Sequence, residues 1–410
     1  MTLIPWSHVD SFLYNTTDPA LTSHRPCPVC GSDQSREILR MNDFQFFTDN
    51  ATLPKRTTIR EVQCTACYAL YLNPAYTSRG FEVLFAEAGC SYGATEGRPQ
   101  EQIRWLTGVG LLNDGGSILD VGCYDGRFLS LLPAKVGRIG VDIDKPAIER
   151  GNHQYGNQGI ELVHGDFDSF KLDRKPDAIT MFHVLEHLPN PLETLRNLRN
   201  QGHEDTSLVV EVPILENGFT NDINSFFSAQ HMTHFSKNSL KNVLARAGWE
   251  LAGQLEQPDY NGYRVLAKPA KITLQANANP EDDITLKHLL KHRRDAIGKA
   301  NANLTAIGDA EKVVVWGGGM HTEFLYHLTG VFSRKSNRQF LIVDSDPLKQ
   351  GKTWRGVKIE APEHIRQIDW TDAKLLISSY GGQEKIAEFA SMMSAPENVM
   401  VKVYDAIRVY

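Results

Sequence analysis

The sequence predicts an α/β protein in which short apolar strands alternate with helices, giving parallel sheets covered on both faces. Two runs of that alternation carry the prediction, one starting at residue 117 and one at residue 311, together with two Cys-x-x-Cys pairs near the N-terminus. A chain of 410 residues is expected to hold two or three domains. We divide it into residues 1–97, 98–270 and 271–410.

The first segment mixes Pro, Thr, Asn and Cys with little periodicity up to about residue 75. Its signal is Cys27-Pro-Val-Cys30 and Cys64-Thr-Ala-Cys67. Two such turns present four thiolates tetrahedrally, and soft thiolates select zinc over magnesium or calcium. Four protein ligands leave no open position, so a structural Zn²⁺ is expected, and a Cys64→Ser chain should lose both stoichiometric zinc and the fold of the segment. The six cysteines are few for this length, and the pairing of four reads as metal binding in a reducing compartment rather than a disulfide framework.

Residues 98–112 (RPQEQIRWLTGVGLL) show helical spacing and lead into the second segment. There SILDVG, GRIGVDID, IELVHGD, DAITMFHV and SLVVEVP read as successive strands with helices between them. Ser236 is placed to cap the helix KNSLKNVLARAG, whose apolar positions 240, 243, 244 and 247 share one face and whose Gly248 can end it. Residues 281–306 read as a charged helix. The alternation then restarts with KVVVWGGG, FLIVDSDP, KLLISSY and VMVKVYD, a second and smaller Rossmann-like unit.

The loop after the first central strand defines the ligand. Gly122 allows a sharp turn and Gly126 lets a helix begin close to what is bound, but Tyr124 stands where a pyrophosphate loop favours glycine. Asp142, followed by Ile143, ends the second strand, where a carboxylate can accept both ribose hydroxyls. His164-Gly-Asp166-Phe167 ends the third, placed to read an adenine edge, and Asp120 can meet an ammonium group at the loop's start. An adenosine with a cationic amino-acid tail and no phosphates satisfies these positions. That ligand is S-adenosyl-L-methionine, with Asp120, Gly122, Tyr124, Gly126, Asp142, Ile143, Asp166, Phe167 and His183 as its expected contacts.

Transfer of a methyl group from a sulfonium is an in-line displacement. It needs an acceptor held close and, for a hydroxyl or carbon acid, a group that removes a proton. Phe182-His-Val-Leu-Glu-His-Leu-Pro189 follows the fourth strand, and a helical turn can gather its His183, Glu186 and His187 on one side. Ser228-Ala-Gln-His-Met-Thr-His-Phe-Ser236 follows the fifth and carries Gln230, His231 and His234. Imidazole suits the task because its ordinary pKa is near neutrality.

The motifs DVGCYDG, GVDID, HGDF and FHVLEHLPNP resemble, in order and spacing, those of class I S-adenosylmethionine-dependent methyltransferases, with Tyr124 replacing the family's third loop glycine. Adding CPVC, CTAC, QHMTHFS, Asn261-Gly-Tyr-Arg264 and VVVWGGGMH, most of the chain resembles the zinc-containing sugar C-methyltransferases of deoxysugar biosynthesis. The resemblance implies a central Rossmann-like methyltransferase domain and a nucleotide-linked keto-sugar acceptor whose enolate takes the methyl group. It implies catalytic roles for His231 and His187, with Glu186 and Gln230 beside them, and places Tyr92 near a substrate-contacting tyrosine. Gln230 stands where the family has the acid of a Glu-His pair, so methylation of oxygen or nitrogen, on another small molecule or glycan precursor, stays open.

Gly317-Gly-Gly319 and Asp344 repeat a nucleotide-type loop in the C-terminal unit, but nothing near them supplies a hydride-transfer site. That unit is expected to close over the acceptor and hold its nucleotide or sugar portion, with His321 near the loop, or else only to pack. The net charge of −6 argues against a nucleic-acid partner. No apolar run approaches bilayer length and no signal peptide is apparent, so no membrane partner and a cytoplasmic location are expected. A non-catalytic cofactor-binding scaffold is the remaining alternative, disfavoured by two histidine-bearing loops.

Overall fold

The structure, a computed structural model, describes residues 4–10, 20–46, 55–85, 97–165, 172, 174–224, 226–257, 260–271, 275–333 and 337–407. Three sheets organise it. The first is built by β2 (Ser35–Gln45), β3 (Arg56–Cys64) and β4 (Leu70–Leu72), with β1 (Thr22–Ser23) and β5 (Ala75–Tyr76) pairing beside it and α1 (Ser78–Phe85) following. Long antiparallel strands were not expected in this stretch. The pattern is hidden because β3 buries both faces, including Arg56, Glu61 and Gln63, so polar residues do not mark an outer side.

The central sheet carries α2 (Arg98–Gly108), β6 (Ser117–Val121), α3 (Arg127–Ser130), β7 (Gly137–Asp142), α4 (Lys145–Tyr155), β8 (Ile160–His164), β9 (Ala178–Phe182), α5 (Pro191–Gln201) and β10 (Ser207–Pro213). After them come β11 (Thr233–His234), α6 (Lys237–Arg246), β12 (Trp249–Leu255) and β13 (Gly262–Pro269). Its order is β12-β13-β10-β9-β6-β7-β8. The predicted strands fall on β6 to β10 and run parallel, but β13 is antiparallel to both β10 and β12, so the sheet is mixed. The hairpin escaped the reading because β12 alternates buried and exposed residues while β13 is nearly all buried. Apolar clusters line both sheet faces, with Leu119, Ile179 and Val210 on one and Ile118, Ala178 and Val209 on the other. Trimming Leu119 to alanine should cost about 2–5 kcal/mol. As expected, Ser236 caps α6, its side chain accepting from Ser239 N at 3.0 Å.

The last sheet follows α7 (Pro280–Leu304) and contains β14 (Lys312–Trp316), β15 (Gln339–Val343), β16 (Thr353–Trp354), β17 (Val357–Glu360), β18 (Ala373–Ile377) and β19 (Met400–Lys402), with helices α8 (Met320–Leu328) and α9 (Gln383–Met392). All its pairings are parallel except β16 with β17. One apolar core, including Phe44, Ile59, Val313 and Phe324, joins this sheet to the N-terminal one. Across the same boundary, buried Arg355 meets Glu323 and Asp43, and Gln45 N donates to Glu323 at 2.8 Å. The network extends to Arg56, which pairs with Asp43 at 3.1 Å, and to His327, 2.9 Å from Glu323.

The loop before β11 was expected simply to follow the fifth strand. Instead β11 joins the N-terminal sheet, with Thr233 opposite Tyr71 and His234 opposite Leu70. Tyr76 Oη donates to Ala229 O at 2.6 Å and Leu72 N to Met232 O at 2.9 Å. The cysteine-bearing segment therefore grips the loop that carries His231.

Candidate active site

Cys27 Sγ lies 3.7 Å from Cys67 Sγ and Cys30 Sγ 3.6 Å from Cys64 Sγ, and the four sulfurs lie within 4.8 Å of one another. Tetrahedral coordination with Zn–S bonds near 2.3 Å separates ligands by roughly 3.8 Å, so this donor set fits a zinc ion. Arg246 on α6 donates to Val29 O inside the first turn.

At the carboxyl end of β6, Gly122 (φ +75°) and Gly126 (φ +78°) take left-handed conformations. A Cβ on Gly122 would lie 2.3 Å from Val184 Cγ2, so the turn has no room for a side chain. Tyr124 is left-handed too (φ 52°), which explains how the loop closes without a third glycine. Its N–H donates to Asp142 Oδ2 at 2.8 Å, and Asp144 N donates to Oδ1 at 2.8 Å. Each Asp142 oxygen thus keeps a lone pair for a ribose hydroxyl. Ile143 beside it is 53% exposed, an apolar surface fit for an adenine face.

Asp120 accepts from the Thr180 hydroxyl at 2.6 Å. Burial pushes its carboxyl up to about 7, with the charge of Asp142 adding and the Thr180 bond opposing. Burial also raises Asp142. Neither acid has an ion-pair partner among the described residues, so the mouth of β6 and β7 favours a cation. A phosphate-free adenosine bearing a sulfonium and an ammonium fits it. Asp166, Phe167 and Tyr92 lie outside the described residues.

The Phe182–Pro189 stretch folds into a short 3₁₀ turn at Leu185–His187. His183 Nδ1 then lies 3.5 Å and His187 Nε2 3.9 Å from Glu186 Oε1, the gathering that the spacing suggested. His183 Nε2 lies 3.0 Å from Glu211 Oε1 and 2.6 Å from the Tyr260 hydroxyl. Burial pulls the His183 imidazolium down, but Glu186 and Glu211 prevail and hold it up at about 9. Burial likewise pushes Glu211 up, and His183 and Arg264 pull it down to about 2. Arg264 Nε donates to Glu211 at 2.6 Å and its Nη2 to Glu101 at 2.7 Å. The roles of Glu211, Tyr260 and Glu101 were missed. A glutamate inside the apolar run Leu-Val-Val-Glu-Val was the available signal, since a buried strand tolerates a carboxylate only with partners.

The His187 and His231 rings face each other with centroids 4.9 Å apart. His187 Nδ1 donates to the backbone oxygen of Gln230 at 3.1 Å, and Met232 N donates to Glu186 O at 2.7 Å, tying the two histidine loops together. Arg25 donates to Pro189 O and Met232 O and so clamps both. Burial, then the neighbouring histidine charges, hold His231 well below the ordinary imidazole range, so it is neutral at pH 7. His234 Nε2 sits 3.0 Å from Glu61 Oε1, both fully buried.

In the C-terminal unit, a cavity of ≈ 490 Å³ is lined by Gly317, His321, Asp344, Lys349 and Ser378, and also by Asp222 of the central segment. His321 Nε2 lies 2.7 Å from the Tyr404 hydroxyl, which donates to Asp222 Oδ1 at 3.2 Å. Among the described residues, no helix is long and apolar enough to cross a membrane.

Known proteins show the following similarities. The tRNA U34 carboxymethyltransferase of Aeromonas hydrophila is 30% identical over 115 residues, covering 27% of this chain and 35% of that enzyme. The chain thus spans about a third of that relative. An uncharacterized methyltransferase of Mycobacterium bovis is 25% identical over 146 residues, covering 34% of this chain and 68% of that protein. A solved S-adenosylmethionine-dependent methyltransferase from Clostridium acetobutylicum overlays with a TM-score of 0.36 at 12% identity, covering 47% of this chain and 97% of that one. The profile of a methyltransferase domain family matches residues 96–254. That match spans the strand ends that carry Asp120 and Asp142, so residues 96–254 are similar to a methyltransferase domain.

Proposed function

We propose that the chain methylates a sugar, most simply a nucleotide-linked keto-sugar, with His231 as the proton-removing group. The observation that carries this reading is the His187–His231 pair, 4.9 Å apart and tied to the loops after β9 and β10. These loops leave the carboxyl ends of the strands, where ligands of open α/β sheets bind. When bound, the cofactor supplies an electrophilic methyl group. Asp142 would hold its ribose, Asp120 its cationic tail, and Ile143 the adenine face.

The acceptor would lie against His231 and His187. A neutral His231 can take a proton from the acidic carbon beside a carbonyl, and His187 can bond the carbonyl oxygen. Burial makes His231 a weak base, and Gln230 offers no carboxylate to strengthen it, which suits an acceptor that is already acidic. The C-terminal cavity, bordered by Lys349, would receive the nucleotide portion. Zinc in the four-cysteine site would keep the N-terminal sheet, and through β11 the His231 loop, in place.

Labelled cofactor offered with a panel of nucleotide-linked keto-sugars tests the acceptor class. Label entering a sugar, with solvent deuterium exchanged at the same carbon, supports carbon methylation; label without exchange favours oxygen or nitrogen. Label in no sugar of the panel would sink the proposal. His231→Asn should leave the cofactor Kd within about threefold while turnover falls at least about 100-fold, the size typical for loss of a general base. Unchanged turnover would remove His231 from the reaction.

A further inference from the structure

Glu186 has no role in the reading above, and its surroundings are unusual. It is 1% exposed, yet among the described residues neither carboxylate oxygen has a donor within hydrogen-bond geometry. Burying such a group is costly unless something fills its lone pairs. His183 Nδ1 at 3.5 Å offsets part of its charge from one side. On another side lie two imidazoles. The nearest nitrogen of His187 is Nε2, at 3.9 Å.

The tautomer of His187 follows from its partner. A backbone carbonyl can only accept, so the Nδ1 bond to Gln230 O puts a proton on Nδ1, and in the neutral ring the lone pair then sits on Nε2. A carbonyl behind the second ring nitrogen is also how proteins orient histidines that ligate metals. His231 supplies a further ring, and a ligand atom from each of Glu186, His187 and His231 falls within 4.8 Å of the others. The Met232–Glu186 backbone bond and the Arg25 clamp fix the two loops against each other, so the grouping is held by the fold. His234, also near His231, is taken by Glu61.

We propose that Glu186, His187 and His231 form a second metal site, for a borderline divalent ion such as Zn²⁺, Co²⁺ or Fe²⁺, separate from the four-cysteine site. Two imidazoles and one carboxylate match the preferences of these ions and leave coordination positions open, unlike the closed thiolate set. The site uses residues of the proposed acceptor region but does not depend on the acceptor being a sugar. The base role of His231 proposed above is that of the metal-free chain; with an ion bound, an acceptor oxygen could be polarised directly.

The full chain, stripped of metal and titrated with Co²⁺, tests this. Thiolate-bound cobalt gives intense charge-transfer absorption, whereas a nitrogen and oxygen site gives only weak visible bands. Two equivalents per chain are expected, the first filling the thiolate site. Glu186→Gln and the double variant His187→Ala/His231→Ala should lose the second equivalent or bind it at least about 10-fold more weakly. Both should keep the thiolate absorption, which also reports that they are folded. Uptake of a single equivalent by the unmodified chain, or a second equivalent unaffected in both variants, overturns the site. The sugar reading is judged separately, by label transfer, so a chain that binds one equivalent but methylates a sugar refutes only the metal site.

Discussion

At the carboxyl end of its first strand, the central unit makes the same backbone bonds as the C-terminal unit. Gly122 N donates to Val141 O, and Gly317 N to Val343 O, each at 2.8 Å. Asp142 accepts from Tyr124 N and Asp144 N at 2.8 Å, and Asp344 from Gly318 N at 2.8 Å and Asp346 N at 2.9 Å. The charges around these clasps differ. Two residues before the loop glycine stands Asp120 in the central unit but Val315 in the C-terminal one. Asp142 faces no basic side chain among the described residues, while Asp344 is paired with Lys349 Nζ at 3.1 Å. The clasp belongs to the fold and says little about the ligand; side chains two to five residues away set its charge. One mouth suits a cation, and the other, with its carboxylate already neutralised, can tolerate an anion.

The largest expected effect separates the two clasps. Asp142→Ala removes a carboxylate that would accept ribose hydroxyls and also frees two backbone N–H groups. Its Kd for S-adenosylhomocysteine by calorimetry should rise about 100-fold, as expected for losing charged hydrogen bonds worth about 1.5–3 kcal/mol each. Asp344→Ala should change that Kd by less than about twofold, because its clasp lies in the other sheet, away from the ends of β6 and β7. Equal losses in both variants would mean that the comparison is misdrawn.

A pH titration sharpens the charge difference. In the free chain burial raises Asp120 to about 7, and a bound cation would favour its ionised form. Cofactor affinity should therefore increase with pH, by about tenfold from pH 6 to pH 8, and then level off, with a proton released on binding below the midpoint. Thr180→Val removes a bond that lowers the Asp120 pKa and should move the midpoint upward. A flat profile would detach Asp120 from the cofactor. A smaller effect is expected at Lys349. Its ammonium is shared with Asp344, so Lys349→Ala should raise the KM for a nucleotide-linked acceptor by about fivefold and leave the KM for S-adenosylmethionine unchanged. Changes of equal size in both would argue that the C-terminal cavity holds no acceptor phosphate.

What could be read in the sequence follows from how local each interaction is. The strands β6 to β10, the glycine turn, Asp142 and the cysteine pairs are encoded over a few neighbouring residues, and periodicity or spacing exposes them. Glu211 bonding Arg264, Tyr76 holding Ala229, and Arg25 reaching Pro189 and Met232 join residues far apart in the chain, so no window of sequence contains them. The burial of His231 is hidden for the same reason. Burial and the neighbouring histidines lower its pKa, which the motif QHMTHFS does not announce.

Tyr124 makes the last and smallest test. As the residue that departs from a glycine pattern, it invites the reading that its ring contacts the cofactor. The geometry assigns the contact to its N–H, which bonds Asp142, while its hydroxyl meets Arg150 Nη2 at 3.1 Å on the outer side. Tyr124→Gly keeps the N–H and relieves a left-handed conformation costing roughly 1–2 kcal/mol, but loses the Arg150 contact and frees the unfolded chain by about 0.5–1 kcal/mol. These nearly cancel. Stability should change by less than about 1 kcal/mol by denaturant titration, and the cofactor Kd by less than about threefold. Tyr124→Val keeps the left-handed demand on a β-branched residue and should be the worse of the two. A loss above about tenfold in Tyr124→Gly would place the ring itself against the cofactor and make this loop, unlike its C-terminal counterpart, a side-chain contact as well as a backbone one.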